Sequence, residues 1–394
     1  MEPLERVDVI VPVYNQPDVV AGCIESVLAT IDRRVAEVIV IDDGSTNAKV
    51  VSYLRSKAES GAITLHINDK NRGFTRTVNR GMRCHPDRDV LLLNSDTVVY
   101  GCWLERLRAA AYSGPKIATV NPLTNASHIS AYPHRDGNSG VALELDDKTL
   151  DAMAAARNKG VYVDVHTTVG FCMYIRRDCL RTFGLFDERH FPVGYGEESD
   201  FCYRARKVGW RHLVAGDVFV RHLDGQSFGE RKNRLVKEML AKFHKLHPDV
   251  ALYDAYFEKA DPVRTVRSRL DLARVRRALG GAKELRLVAE ARADAAVAPD
   301  RIFLDYDVRG GVAQLVVAGS RDFPNLRAYR MPGDMSRFNA DMRYLGVERI
   351  RCSSAQTRSF VDERLVSTPA ESRLGPALLG PEGGWLEADT SAAR

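Results

Sequence analysis

Short apolar runs alternate with polar stretches of helical period from the start of the chain. Val7-Asp8-Val9-Ile10-Val11-Pro12-Val13 reads as a buried strand ending at a turn. From Pro17 to Ala29, Val20, Ile24, Val27 and Leu28 recur at helical spacing. Val38-Ile39-Val40-Ile41 predicts a second strand, closed by Asp42-Asp43-Gly44-Ser45, and Val50 to Ala58 a second helix. Ile63 to Ile67 predicts a third strand, Phe74 to Met82 a third helix and Val90 to Leu93 a fourth strand. Near-continuous apolar strands alternating with helices mean a sheet covered on both faces, so the fold class is α/β around a mostly parallel central sheet. Ligands bind such sheets at the carboxyl ends of the strands. Tyr14, Asp42, Asp43, Asn71, Arg72, Asn94 and Asp96 all follow or lie near those ends.

Further along, the pattern loosens. Asn121 to Gly140 is rich in Asn, Ser, Pro, His and Gly and reads as a long functional loop. Helices are expected at Lys148 to Arg157, Asp178 to Phe183, Phe201 to Val208 and Arg231 to His247, and strands at Val169 to Ile175 and Val214 to His222. Pro262 to Leu279 interleaves six arginines with Val and Leu, which predicts a basic helix, either resting on an anionic membrane surface or docked by its apolar side. The expected organisation is a nucleotide-binding domain over 1–230, a partly basic helical extension over 231–282, a small α/β appendage over 283–366 and a tail without order over 367–394.

Composition narrows the function more than the fold. A net charge of +5 over 394 residues argues against a dedicated nucleic-acid binder. Seven scattered cysteines without a C-x-x-C pair exclude a thiolate zinc site and a disulfide framework, which fits a reducing, cytoplasmic compartment. No run approaches the ~20 apolar residues that span a bilayer, so any membrane contact is expected to be peripheral, through 262–279. Neither G-x-G-x-x-G nor G-x-x-x-x-G-K-[ST] occurs.

Three polar sites carry candidate chemistry. Gly194-Tyr195-Gly196-Glu197-Glu198-Ser199-Asp200 puts three carboxylates beside two glycines; Asn94-Ser95-Asp96 follows an apolar strand; His222 follows another. Each has an ordinary explanation: a helix N-terminus favours carboxylates, Asn-Ser-Asp favours turns, and a lone histidine is often structural. Taken with Val9 to Asn15, Ile41 to Ser45 and Asn71-Arg72-Gly73-Phe74, in this order, the chain over roughly residues 6–230 resembles inverting glycosyltransferases of family 2, with the GT-A fold. The stretches Asn121 to Asn125, Gly170 to Ile175 and His222 to Phe228 resemble rhamnosyltransferase-like enzymes of O-antigen and other bacterial surface polysaccharides.

The resemblance implies a nucleoside diphosphate sugar donor, a divalent metal (Mg²⁺ or Mn²⁺) and a saccharide or lipid-linked glycan acceptor. Asp96 and His222 would hold the metal, although the family's usual Asp-x-Asp is here Asn94-Ser95-Asp96, leaving Asn94 and Ser95 as donor contacts. Glu198 would be the general base, with Glu197 and Asp200 positioning the acceptor, or pairing with Arg204 or Arg206. Pro12, Val13, Tyr14, Asp42 and Asp43 would hold the nucleotide, and Asn71, Arg72 and Gly73 would cover it. Trp103 either stacks on a sugar or caps the next helix. Arg301 to Val317 resembles the opening strand, glycine turn and helix of a GT-B glycosyltransferase, too short to be active. Two other readings remain: a sugar nucleotidyltransferase, which would need a glycine-rich basic loop that Pro12 to Pro17 lacks, and a nucleotide-sugar-binding or scaffold protein with a dead site, suggested by Asn94.

Overall fold

The computed structural model describes residues 6–135, 137, 142–223, 230–278, 280, 284–289, 302–307, 312–317, 323–330, 333–347, 349–352, 377–378 and 386–389. The chain divides into two compact units, Met1–Val266 and Arg267–Arg394. The first unit holds strands β1 (Val7–Val13), β2 (Ala36–Asp42), β3 (Thr64–Ile67), β4 (Asp89–Leu93), β5 (Thr97–Val98), β6 (Ile117–Thr124), β7 (Tyr162–Val165), β8 (Cys172–Ile175) and β9 (Arg211–His222). Its helices are α1 (Pro17–Leu28), α2 (Ala48–Glu59), α3 (Phe74–Met82), α4 (Trp103–Ala111), α5 (Asp147–Arg157), α6 (Arg177–Phe183), α7 (Glu197–Arg206), α8 (Glu230–Leu246) and α9 (Val250–Ala260).

One sheet runs β3-β2-β1-β4-β8-β6-β9-β5, with β7 paired to β9. The expected parallel order holds across β3, β2, β1 and β4. Beyond β4 the sheet becomes mixed, because β8 enters antiparallel to both β4 and β6. Alternation along the strands divides the core into two layers. Val7, Val9, Val11 and Val13 join Val20, Ile24 and Val27 of α1 and Leu104 and Leu107 of α4 on one face. Ile10, Ile39 and Ile41 join Val78 and Met82 of α3 and Phe201 and Ala205 of α7 on the other.

Several expectations are corrected. The Asn121 to Gly140 segment is not loop throughout, since its first four residues complete the fully buried strand β6. Trp103 does not stack on a sugar: it is 0% exposed in the core behind β1, and its indole N–H donates to Thr30 Oγ1 at 3.0 Å. Its place at the first helical turn, beside Leu104 and Leu107, turns it inward.

The second unit begins inside the basic helix, α10 (Arg264–Ala278). Residues 266–268 and 270–275 of that helix are buried, so it has no continuous basic face to lay on a membrane. Arg274 pairs with buried Asp271 at 3.1 Å, and Arg267 donates to Asn325 Oδ1 at 3.2 Å. Of its arginines, Arg264, Arg276 and Arg277, towards its ends, stay exposed. The unit's sheet takes β10 (Glu284–Ala289), β11 (Ile302–Asp307), β12 (Val312–Val317), β13 (Ala328–Arg330), β14 (Arg349–Cys352), β15 (Ala377–Leu378) and β16 (Leu386–Asp389), with α11 (Met335–Leu345) before β14.

The expected GT-B opening is not found there. After the glycines the chain returns as β12, antiparallel to β11, instead of as a helix. In β12, Ala313 and Leu315 are buried while Gln314 and Val316 are exposed, the two-residue period of a half-buried strand. Residues 367–394 lie mostly outside the described residues, but β16, expected to lack order, pairs with β14.

Trp103→Ala is expected to cost about 3–5 kcal/mol of stability, as large core truncations do. Urea denaturation of the variant checks this, and a loss below 1 kcal/mol would contradict the burial.

Candidate active site

The carboxyl ends of β1, β2 and β4 gather the first half of the predicted site. Tyr14 follows β1 and is 42% exposed, whereas Val13 is buried and Pro12 half-buried. Asp42 accepts from Ser45 N at 2.9 Å, closing the turn after β2. Asp43 is nearly buried. Its carboxylate accepts from Asn68 Nδ2 at 2.7 Å, Arg72 N at 2.8 Å and Gly73 N at 3.0 Å. Three of its roughly four lone-pair sites therefore hold the loop over 71–73 in place. Asn68, which no motif marks, supplies one of those bonds.

Gly73 has φ +87° and lies against the chain before the acidic cluster: an added Cβ would fall 2.8 Å from Pro192 O and 3.0 Å from Val193 Cα. Asn71 Oδ1 accepts from Gly73 N at 3.1 Å. The Arg72 guanidinium is half-exposed and pairs with Asp69 at 2.8 Å.

The metal pair is brought together. His222 Nε2 stands 3.3 Å from Asp96 Oδ1, because β5 and β9 pair with Thr97 opposite His222. Leu223 N donates to Asp96 O at 2.8 Å. Asn125, 5% exposed, clamps the His222 backbone, accepting from its N–H at 2.7 Å and donating to its carbonyl at 2.8 Å. The imidazole stacks on Phe171 with ring centroids 5.2 Å apart. Its Nδ1 faces the Ala126 carbonyl at 3.3 Å, which calls for a proton on that nitrogen. The Nε2 edge faces a carboxylate oxygen, a contact that either a proton on Nε2 or a metal cation between the two groups satisfies. A divalent cation fits this donor set, and a carboxylate with an imidazole suits Mn²⁺ better than Mg²⁺. Asn94 Oδ1 is buried without a partner among the described residues. Ser95 is half-buried.

Two carboxylates and a histidine do not imply a metal everywhere. Asp8, Glu37 and His85 cluster closely enough to hold one. They sit, however, at the amino ends of β1 and β2, the edge away from the strand ends that carry the site. Arg88 already bridges them, at 3.1 Å from Asp8 and 2.7 Å from Glu37, and supplies the cation.

The acidic cluster opens α7. Tyr195 has φ +68°, Gly194 +110° and Gly196 +130°, so the turn is left-handed at three consecutive residues. At Gly196 a Cβ would meet the Phe191 ring at 2.8 Å. This turn directs Glu197 and Glu198 inward instead of leaving them on a solvated helix end. Burial raises both carboxyls above the ordinary glutamate range, and the charge of Glu198 raises Glu197 further. Hydrogen bonds from Glu197 and from the backbone of Glu198, Gly196 and Gly170 favour ionised Glu198. Both carboxyls are thus raised, Glu197 further than Glu198, whose ionised form has the more hydrogen-bond support. Oε2 of each lacks a hydrogen-bond partner among the described residues.

Gly170 joins the two halves. Its backbone is among the groups that favour the ionised Glu198 carboxyl, and the next residue, Phe171, stacks on His222 and accepts from Asn94 N at 2.8 Å. Asp96, His222 and Glu198 thus share one short segment of chain. Asp200 does not join them. Its carboxylate takes Arg204 Nε at 2.7 Å and His247 Nε2 at 2.9 Å, so the pairing alternative expected from the sequence holds for Arg204. Arg206 lies over the Tyr253 ring instead.

Residues 8–184 match the model of the family described as glycosyl transferase family 2. The glycosyltransferase AglE of Haloferax volcanii is 26% identical over 229 residues, which cover 58% of this chain and 69% of AglE. The glycosyltransferase GlyA of Streptococcus pneumoniae serotype 4 is 27% identical over 259 residues, 65% of this chain and 34% of GlyA. A crystal structure of GalNAc-T7 with UDP, GalNAc and Mn²⁺ superposes loosely, with a TM-score of 0.46 and 18% identity, over 62% of this chain and 52% of that one. The match to family 2 glycosyl transferases thus lies within the first unit, which has the α/β architecture around a central sheet that the sequence predicts.

The raised carboxyl of Glu197 has a definite consequence for stability. A native pKa above the ordinary 4.5 means that the folded state binds its proton more tightly than the unfolded state. The stability this contributes is full below the unfolded value and is lost as pH rises through the native one. Glu197→Gln cannot ionise and removes that loss. The variant is expected to be at least as stable as the parent at pH 8, with a flatter stability profile above pH 5, in urea titrations across pH. A variant that loses stability more steeply than the parent would contradict the assignment.

Proposed function

We propose that the protein transfers a sugar, with inversion, from a nucleoside diphosphate sugar to a saccharide hydroxyl. The observation that carries this reading is the convergence of Asp96, His222 and Glu198 on Gly170 and Phe171. Glu198 takes the proton of the acceptor hydroxyl as that oxygen attacks the anomeric carbon and the bond to the departing diphosphate breaks on the opposite face. Glu197, whose carboxyl is raised further, is the weaker candidate for that role. Asp96 and His222 would hold a divalent cation, Mn²⁺ in preference to Mg²⁺; when bound, it offsets the negative charge that grows on the diphosphate. Asn94 contributes no charge, and its unpartnered Oδ1 suits a ribose hydroxyl. Tyr14, at the end of β1, and the 71–73 loop that Asp43 organises flank the nucleotide.

The acceptor we favour is a glycan of the surface-polysaccharide type, saccharide or lipid-linked. The free cysteines, most of them buried, support a reducing, cytoplasmic setting. No described helix is long and apolar enough to cross a membrane, and the buried middle of α10 argues against that helix as a membrane contact.

A panel of UDP-, GDP- and dTDP-sugars with Mn²⁺ identifies the donor by its hydrolysis or transfer. With that donor, Glu198→Gln is expected to lower transfer by about 10²–10⁴-fold, as loss of a general base does. Donor affinity should stay within a few-fold. Asp96→Ala and His222→Ala should each abolish the stimulation by Mn²⁺. Full turnover by Glu198→Gln, or metal stimulation undiminished in both other variants, would contradict the assignment.

A further inference from the structure

The helix α8 begins eight residues after His222 and leads to His247, which is bonded to Asp200, two residues beyond Glu198. This strap ties the end of the metal strand to the helix that carries the base. The contact is buried: His247 is 5% and Asp200 4% exposed, and the bond between them is 2.9 Å.

Its direction is fixed by a third group. Lys207 Nζ lies 3.3 Å from His247 Nδ1 and can only donate, so Nδ1 accepts and Nε2 carries the proton that Asp200 Oδ1 receives. Asp200 Oδ2 takes Arg204, whose guanidinium also donates to the carbonyls of Phe183, at 2.7 Å, and Leu185, at 3.1 Å. One carboxylate on the first turn of α7 is thus held from two sides, by His247 just beyond α8 and, through Arg204, by the end of α6 and the residues after it. The apolar contacts have the same reach. Met239 and Phe243 of α8 pack with Phe191 and Tyr203, and Tyr195, from the left-handed turn before Glu197, packs against that cluster.

We infer that His247 is a positioning residue for the transfer. Through Asp200 it fixes the first turn of α7, and with it the reach of Glu198 towards the acceptor hydroxyl. The inference rests on the reading of Glu198 as the base. No group that we assign to the donor or the metal lies on α7 or α8. Loss of the latch should therefore appear in kcat and not in the donor's KM. A base displaced by about 1 Å can cost a hundredfold in rate.

The test uses the full chain, Mn²⁺ and the sugar nucleotide that the panel of UDP-, GDP- and dTDP-sugars shows to turn over. His247→Ala is expected to lower kcat at least tenfold while the donor KM stays within twofold. His247→Gln places an amide N–H where Nε2 was, and should recover most of the lost kcat. Rates are compared per mole of protein that binds Mn²⁺, so a misfolded fraction does not imitate the effect. Should His247→Ala fold poorly, Asp200→Asn tests the same bond from its other end, with the same split between kcat and KM expected. The inference is overturned if the parent turns over a donor while His247→Ala, or Asp200→Asn in its place, keeps kcat within twofold. It is also overturned if the glutamine restores no more than the alanine does. A parent that turns over none of the panel removes the glycosyltransferase reading itself, and this inference with it.

Discussion

The hydrogen bond from Asn94 N to the Phe171 carbonyl, 2.8 Å long, is the point from which the site is built. It extends the antiparallel pairing of β4 with β8 by one step, beyond Leu93 and Cys172, to where both strands leave the sheet. From there Asn94 leads to Asp96, and Phe171 presents its ring to His222, one residue after Gly170, whose backbone favours the ionised Glu198 carboxyl. Without that step the loop after β4 and the segment before β8 would leave the sheet independently. The groups on them would then have no common frame.

Most of the scaffold could be read from the sequence because it follows from periodicity. Strands buried on both faces show as unbroken Val, Ile and Leu runs, and their ends mark where ligands bind. Strand ends brought Asp96 and His222 forward, and the two meet within 3.3 Å; Glu198 came forward through its acidic cluster and the family resemblance. What could not be read depends on which of several possible partners a polar group finds. Asp43 looked like a nucleotide contact but holds its neighbouring loop through Arg72 and Gly73. Asp200 looked like part of the acceptor site but bonds to a histidine 47 residues away. Asn68 and Asn125 act through side-chain amides on distant backbone, for which no local pattern exists. Trp103 and the 312–317 run were misjudged for a different reason. Helix, strand and binding surface all use large apolar residues, and only the surrounding burial separates them.

The helix α7 shows two uses of charge within one turn. Helix N-termini favour carboxylates, and Glu197, Glu198 and Asp200 all stand there. Asp200 is neutralised by Arg204, takes a hydrogen bond from His247 and serves structure. Glu197 is buried and Glu198 half-buried with no cation among their named partners, an arrangement that costs stability and raises both carboxyls. Reactive groups commonly sit in such destabilised environments.

The central claim is that the metal lies between Asp96 and His222 on the segment shared with Glu198. Anomalous diffraction from crystals grown with Mn²⁺ and UDP tests it most directly. The account predicts a Mn²⁺ peak bonded to Asp96 and His222 and touching the diphosphate. A peak at Asp8, Glu37 and His85 instead, with nothing at His222, would contradict it.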